Sequence, residues 1–234
     1  MIRFQKVLNK QHICDSGAWK QGGGNMARGQ ETDPRVIRTK QLIQDALLTL
    51  VQQKDFADIT VKDISEKATI NRATFYAHYV DKFVLLDEMI SEGFDSCVDG
   101  RIPPGRELTE TTGRELIRLI NEYQIAFFEK WRMDTKTIAG RVENIIKSKL
   151  ENIIASYIKN QSTGVDSTNA DQQILTAMIS GAIFSASLAF VKNGSMHDFD
   201  RFSGRVLAFV LSGMNTMLEG HGKKVSAREN SEIR

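Results

Sequence analysis

Cysteine is nearly missing from this chain of 234 residues: Cys14 and Cys97 are its two, with no metal-ligand spacing and no disulfide framework. A disulfide-stapled secreted scaffold is therefore excluded, and a reducing compartment is expected. An excess of one charge is missing as well, since 31 Lys and Arg stand against 29 Asp and Glu for a formal net charge of +2. Bulk charge thus favours neither nucleic acid nor a membrane surface, and any electrostatic site has to be local. Arg3, Lys6 and Lys10 are followed by no apolar run, so no secretory signal is read and the expected location is cytoplasmic.

Patterns that carry catalysis are equally scarce. No cluster of His, Cys, Asp and Glu has ligand spacing, no nucleophile is paired with a base, and no two carboxylates are set for acid and base work. The run "QGGGN" lacks the Lys-Ser and the helix of a phosphate-binding loop. His197, in "KNGSMHDF", reads as a solvated loop residue. The expectation is a chain that is no enzyme and takes no cofactor or metal.

One stretch tests for a membrane. "ILTAMISGAIFSASLAFV", from Ile174 to Val191, carries no charge over 18 residues, near the lower limit for a spanning helix. Its hydroxyls, Thr176, Ser180, Ser185 and Ser187, and the lack of a second such stretch favour a buried helix and no membrane partner.

What the chain does have is helical period. Residues 1–32 are polar and Gly-rich without it, and read as a disordered arm or as an extension ahead of a native start at Met26, since Gly22 and Gly23 can be encoded by a ribosome-binding core. From Asp33 onward no convincing strand is found. Ile43, Ala46, Leu47, Leu50 and Val51 recur at three- and four-residue steps behind Pro34, which suits a first helical turn. Thr60 with Asp63 forms a variant capping box for a short helix that turns Val61, Ile64 and Ala68 inward. Asn71 caps a second short helix, Arg72 to Tyr79, and Asp81 a third that carries Phe83, Leu85, Leu86 and Met89. Two short helices joined by a tight turn make a helix-turn-helix.

On the second short helix Ala73, Phe75 and Tyr79 can serve the core, which leaves Arg72, Thr74, Tyr76 and His78 to face outward. Arg offers bidentate donors to guanine or phosphate, and the other three offer single hydrogen bonds suited to phosphate oxygens. Lys82 adds a cation at a helix start where amides also favour anions. Against this, residues 33–95 hold 8 Lys and Arg and 11 Asp and Glu, the reverse of the usual balance for phosphate binding. Asp87, Glu88, Glu92 and Asp95 fall late in the third helix, away from this face, and the attraction is expected from Arg35, Arg38, Lys40, Lys62, Arg72 and Lys82.

The segment "TVKDISEKATINRATFYAHYVDKFVLL" resembles the N-terminal signature of the TetR family of bacterial transcriptional regulators, over roughly Val36 to Phe94. "FYAHYVDKFVLL" is its most specific part. The resemblance implies Thr60, Thr74, Tyr76, His78 and Lys82 at the phosphate backbone, Arg72 near base edges and Ala77 facing thymine methyls. Thr69 departs from it, standing where the family usually has the Gly of the turn. If that turn needs positive φ, a β-branched residue there costs about 1 kcal/mol or more.

Further along, Thr112 with Glu115 reads as a capping box for a helix that buries Leu116, Leu119 or Ile120, Tyr123, Phe127 and Trp131. The next helix has Ile138, Val142, Ile145, Ile146, Leu150, Ile153 and Tyr157 as its stripe. Tyr123, Phe127, Phe128 and Trp131 are the candidate lining of a cavity for an unknown small-molecule effector. The last two helices carry small residues every fourth position, Ala177, Gly181, Ser185 and Ala189 on one and Gly204, Ala208, Ser212 and Thr216 on the other. Such ridges permit close approach. Both helices are apolar nearly all round and need cover on every side, which points to an intermolecular four-helix bundle in a homodimer; proteins of the resembled family use their last two long helices in this way.

The expected fold is all-α: an extension over 1–32, a helix-turn-helix domain over 33–80, a connecting helix over 81–98, a larger helical ligand-binding and dimerisation domain over 99–222, and a flexible tail over 223–234. The expected function is a dimeric regulator of double-stranded DNA, a repressor released from a palindromic operator by an inducer. A DNA-binding adaptor controlled by a protein partner, with no small-molecule pocket, is the alternative.

Overall fold

A computed structural model describes residues 33–102, 108–131, 135–161, 169–193 and 198–229. The N-terminal extension, the Pro103-Pro104 loop, most of the polar linker after Lys159 and His197 lie outside the described residues. The fold is all-α, with no strand among the described residues. Its helices are α1 (Pro34–Leu50), α2 (Val61–Lys67), α3 (Arg72–His78), α4 (Lys82–Val98), α5 (Glu110–Lys130), α6 (Thr135–Gln161), α7 (Asn169–Asn193) and α8 (Phe199–Glu229), with a 3-10 turn at Phe56–Asp58 between α1 and α2. Helix α8 thus runs past residue 222, where a tail was expected.

The first four helices begin where a side chain can satisfy free amide protons. The Asp33 carboxylate accepts from the Arg35 amide at 2.8 Å, with Pro34 in the first turn. Thr60 and Asp63 make the reciprocal box, the Asp63 amide donating to Thr60 Oγ1 at 3.2 Å and the Thr60 amide to Asp63 Oδ2 at 2.8 Å. Asn71 accepts from the Ala73 amide at 3.0 Å, and Asp81 from those of Phe83 and Val84 at 2.7 and 2.9 Å. The cap of α5 is a correction: the Thr109 amide donates to Thr112 Oγ1 at 2.8 Å and the Thr112 amide to Thr109 Oγ1 at 3.2 Å, so the box is Thr109 with Thr112. Glu115, expected in that box, accepts instead from Arg101 Nη2 at 2.7 Å.

By packing, the described residues fall into two units, 33–99 with 123–146 and 100–122 with those from 147 onward. The division runs through α5 and α6. In the first unit α1 packs on α2 and α2 on α3, around Ile43, Leu47, Phe56, Ile59, Ile64, Phe75 and Leu86, each 2% exposed or less. The Tyr123 hydroxyl, buried in this unit, donates to the Ile90 carbonyl at 2.9 Å, and burial holds its pKa well above the usual phenol value. Cys97 is also buried here.

In the second unit α7 packs on α8. The stripe of α6 continues there through Ile154 and Ile158, both buried, whereas Ile145 and Ile153, expected in it, are half-buried. Buried Asn121 donates to Ser187 Oγ at 3.3 Å and so ties α5 to α7. Arg114 Nη1 donates to Ser203 Oγ at 2.8 Å on α8. Arg101 joins Glu115 and the nearly buried Glu122, and these carboxylates hold its pKa above the usual value in spite of burial.

Candidate nucleic-acid interface

The turn between α2 and α3 aims the second short helix. Thr69 has φ +58°, the one non-Gly residue with positive φ among those described. Its amide donates to the Glu66 carbonyl at 3.2 Å and the Ile70 amide to that of Ser65 at 3.0 Å. Together these two bonds form a Schellman motif with threonine at the left-handed position that glycine normally takes. The turn does have positive φ at Thr69, so the cost set out for a β-branched residue there applies.

Helix α3 presents Arg72, Ala73, Tyr76 and Ala77 to solvent, with Thr74 and His78 half-buried at the margins. Tyr76 is 57% exposed and its ring meets the Phe75 ring edge-on at 5.6 Å, which limits how far it can swing. Phe75, fully buried, and Tyr79, 1% exposed, anchor the opposite side. Ala73, expected in the core, is exposed and belongs to the outward face, because the buried arc of so short a helix is filled by these two rings. Val80, which the sequence reading passed over, is 79% exposed just beyond the helix. A large apolar residue left out in the loop after such a helix was the available signal.

Two predicted contacts have other occupations. The Lys82 ammonium donates to the carbonyls of Phe56, Ala57 and Ile59 at 2.8, 2.9 and 2.6 Å, which uses all three of its protons. It also lies 4.8 Å from the Phe56 ring centre, and burial lowers its pKa. Lys82 is thus held as a clasp between the 3-10 turn and α4 rather than offered to a phosphate. Thr60 is exposed, but its hydroxyl is engaged with Asp63 on both sides, accepting at 3.2 Å and donating at 2.8 Å.

The acidic surplus of this region is largely bound internally. Glu88 accepts from the Tyr79 hydroxyl at 2.6 Å and pairs with Lys40 at 3.4 Å; burial, then Glu88, raises the Tyr79 pKa far above the usual phenol value. Glu92 accepts from Gln44 Nε2 at 3.0 Å, and Asp87 from Arg141 Nη1 at 2.6 Å. Asp63 takes Lys54 at 2.8 Å, and that bond, with those from Thr60, holds its pKa well below the usual carboxylate range. Lys40 therefore leaves the set of expected phosphate-attracting cations, while Arg35, Arg38 and Arg72 are exposed or half-exposed.

The candidate effector aromatics pack against one another. The Phe127 ring stacks on those of Tyr123 and Trp131, at 6.3 and 5.4 Å, and Trp131 meets Phe56 edge-on at 6.1 Å. Tyr123, Phe127 and Trp131 are each 1% exposed, and Phe128 is half-buried. Among the described residues no group of three or more His, Cys, Asp or Glu is placed to hold a metal.

The small rows of α7 and α8 lie on the outer side of this chain. Ala177, Ser185 and Ala189 are exposed with Gly181 half-buried, and Ala208, Ser212 and Thr216 are exposed with Gly204 half-buried. Beside them stand Ile174, Met178 and Phe209, at 54, 58 and 70% exposure. Over Ala170–Asn193 α7 is long and apolar enough to cross a membrane by length and composition alone.

Comparison with known proteins agrees with the geometry of α2 and α3. The model of the family "Bacterial regulatory proteins, tetR family" matches residues 43–89. The uncharacterized HTH-type transcriptional regulator YxbF of Bacillus subtilis (strain 168) is 40% identical over 77 residues, which cover 32% of this chain and 20% of that protein. Among solved structures, the dihydroxyacetone kinase operon activator DhaS is similar with TM-score 0.49 and 18% identity, over 76% of this chain and 97% of that one. A likeness that low carries nothing from that activator to this chain. The capped α2 and α3, the turn at Thr69 and the match over residues 43–89 identify this segment as a helix-turn-helix of the kind found in the TetR family of bacterial regulatory proteins.

Proposed function

We propose that this protein is a cytoplasmic, dimeric transcriptional repressor that leaves a palindromic operator when a small molecule binds its helical domain. The observation that carries the DNA-binding part is the outward face of α3, where exposed Arg72 and Tyr76 stand on a helix anchored by two buried rings. Arg72 is suited to base edges, and Thr74, Tyr76 and His78 to phosphate oxygens, with Ala73, Ala77 and Val80 as apolar surface for thymine methyls. Residues 33–80 read DNA, 81–98 connect, and 99–222 hold the effector and the partner copy.

The dimer follows from the outward rows on α7 and α8. Side chains as large as Phe209 and Met178, more than half exposed beside rows of Ala, Gly and Ser, are apolar surface suited to cover by a second copy of the same surface. A two-fold pair of short recognition helices reads two half-sites, which is what gives so small a motif useful specificity. This surface also accounts for the apolar length of α7 without a membrane.

The test is a binding titration of the purified protein against DNA from the region upstream of its own gene, beside a shuffled duplex of equal length. Saturable binding of one dimer to a two-fold site, preferred over the shuffled duplex, supports the reading. Equal affinity for both duplexes overturns it.

A further inference from the structure

Helix α5 buries a glutamine that no described residue satisfies. Gln124 is 2% exposed, and neither its Nε2 nor its Oε1 has a hydrogen-bond partner among the described residues. Seven residues on, Trp131 is 1% exposed and its Nε1 is likewise without one. The Trp131 amide still donates to the Phe127 carbonyl at 2.9 Å, so helical geometry reaches it. Residues 124, 128 and 131 then share one stripe, with the first and last backbone positions roughly 10 Å apart along the axis at about 1.5 Å per residue.

Buried polar groups are almost always bonded, because the lost contact with water is otherwise uncompensated. Two such side chains on a single stripe of one helix are therefore better explained by a bonding partner that comes and goes than by chance. We infer that Gln124 and Trp131 are the polar contacts of an effector site that takes an uncharged, flat, hydrogen-bonding molecule, its body lying along Phe128. This rests on reading the chain as an effector-responsive regulator. Trp131 Nε1 can only donate, so the ligand brings an acceptor to that end. Gln124 both donates and accepts, which matches a lactam, amide or similar group at the other. Phe128 is half-buried and its ring stands edge-on to Phe127 at 6.1 Å, which leaves it as the side chain able to give way. Gln124, Phe128 and Trp131 themselves offer no ionisable side chain to a charged ligand.

The protein has two tryptophans, and Trp19→Phe leaves Trp131 as the single indole. That variant is titrated with 6-acetylquinolin-2(1H)-one, a quinolinone with its lactam at one end and a carbonyl acceptor at the other, with naphthalene as the fused-ring outline without polar groups, and with quinoline-2-carboxylate as the charged relative. The quinolinone is expected to shift Trp131 emission and raise the melting midpoint, with naphthalene roughly tenfold weaker and the carboxylate weaker still. Gln124→Leu should weaken the quinolinone roughly tenfold and raise the midpoint of the free protein by about 2–4 °C. No quinolinone binding up to millimolar concentration, naphthalene binding as tightly, or a lowered midpoint for Gln124→Leu each overturns the site. Operator binding is measured on the same samples. A protein that holds DNA yet fails these tests loses the site alone, whereas one that holds no DNA loses the regulator reading whatever the quinolinone does.

Discussion

The Lys82 ammonium lies 2.6 Å from the Ile59 carbonyl oxygen and bridges from there to Phe56 and Ala57. Its effect on DNA is accordingly indirect. Lys82→Ala frees three carbonyls at the end of the 3-10 turn and is expected to destabilise the protein by about 2 kcal/mol, within the range for hydrogen bonds to a charged group. Urea melts read this. Unchanged stability together with a salt slope of DNA binding smaller by about one would return Lys82 to the phosphate backbone.

Arg72 and Tyr76 should separate specificity from affinity. Arg72→Ala is expected to relax base preference at one position by about 1–3 kcal/mol, whereas Tyr76→Phe weakens cognate and random DNA alike. Competition titrations with single-base operator variants distinguish the two. Equal losses on cognate and random duplexes for Arg72→Ala would move Arg72 to the phosphates.

Thr69 holds a left-handed conformation that a β-branched residue adopts at a cost of about 1–2 kcal/mol. Thr69→Gly should therefore raise stability by about 1 kcal/mol once the extra freedom of unfolded glycine is deducted. Thermal melts of the two proteins decide it. A destabilised glycine variant would mean that the Thr69 side chain makes a compensating contact.

These caps and this turn were legible because they are local. Asp33, Thr60, Asn71 and Asp81 act within three residues of themselves, and the outward rows of α7 and α8 follow from a four-residue repeat. What stayed hidden is tertiary. No spacing rule connects Lys82 to carbonyls more than twenty residues away, or shows that Glu115 belongs to Arg101 and leaves Thr112 to Thr109. The α6 stripe drifts from Ile153 to Ile154 because 3.6 residues per turn does not match a fixed heptad over a helix of 27 residues. Gln124 was invisible as a site, since a glutamine between apolar neighbours is remarkable only once its surroundings are known to leave it unbonded.

Asp63 predicts a pH dependence. Its bonds to Lys54 and Thr60 depress the folded pKa below the usual 3.8. A depressed carboxylate pKa means that the stabilisation is fully present above 3.8 and is lost as pH falls from there through the folded value. Asp63→Asn should be less stable than wild type at neutral pH, with the gap closing under increasingly acid conditions. Denaturant melts across pH check this, and a gap that does not change with pH would assign the loss to packing.

Gly181 gives the sharpest test of the dimer. A Cβ placed there meets nothing within 4 Å in this chain, and the same holds at Gly204. Gly181→Leu therefore adds its Cβ into open space in the isolated protomer, and replacing a mid-helix glycine should if anything favour α7 by up to about 1 kcal/mol. If the row through Ala177, Gly181 and Ser185 packs on a second copy, the added isobutyl group meets the partner and overpacks the contact, costing about 1–3 kcal/mol and more where the two-fold axis repeats it. Sedimentation should then show monomer at concentrations where wild type is dimeric. Operator affinity should fall although no residue of α3 has changed, because two half-sites are no longer read together. Helical content measured in parallel confirms that the variant is folded. A variant that stays an equally stable dimer with unchanged operator affinity removes Gly181 from the interface and leaves exposed Met178 and Phe209 in need of another cover.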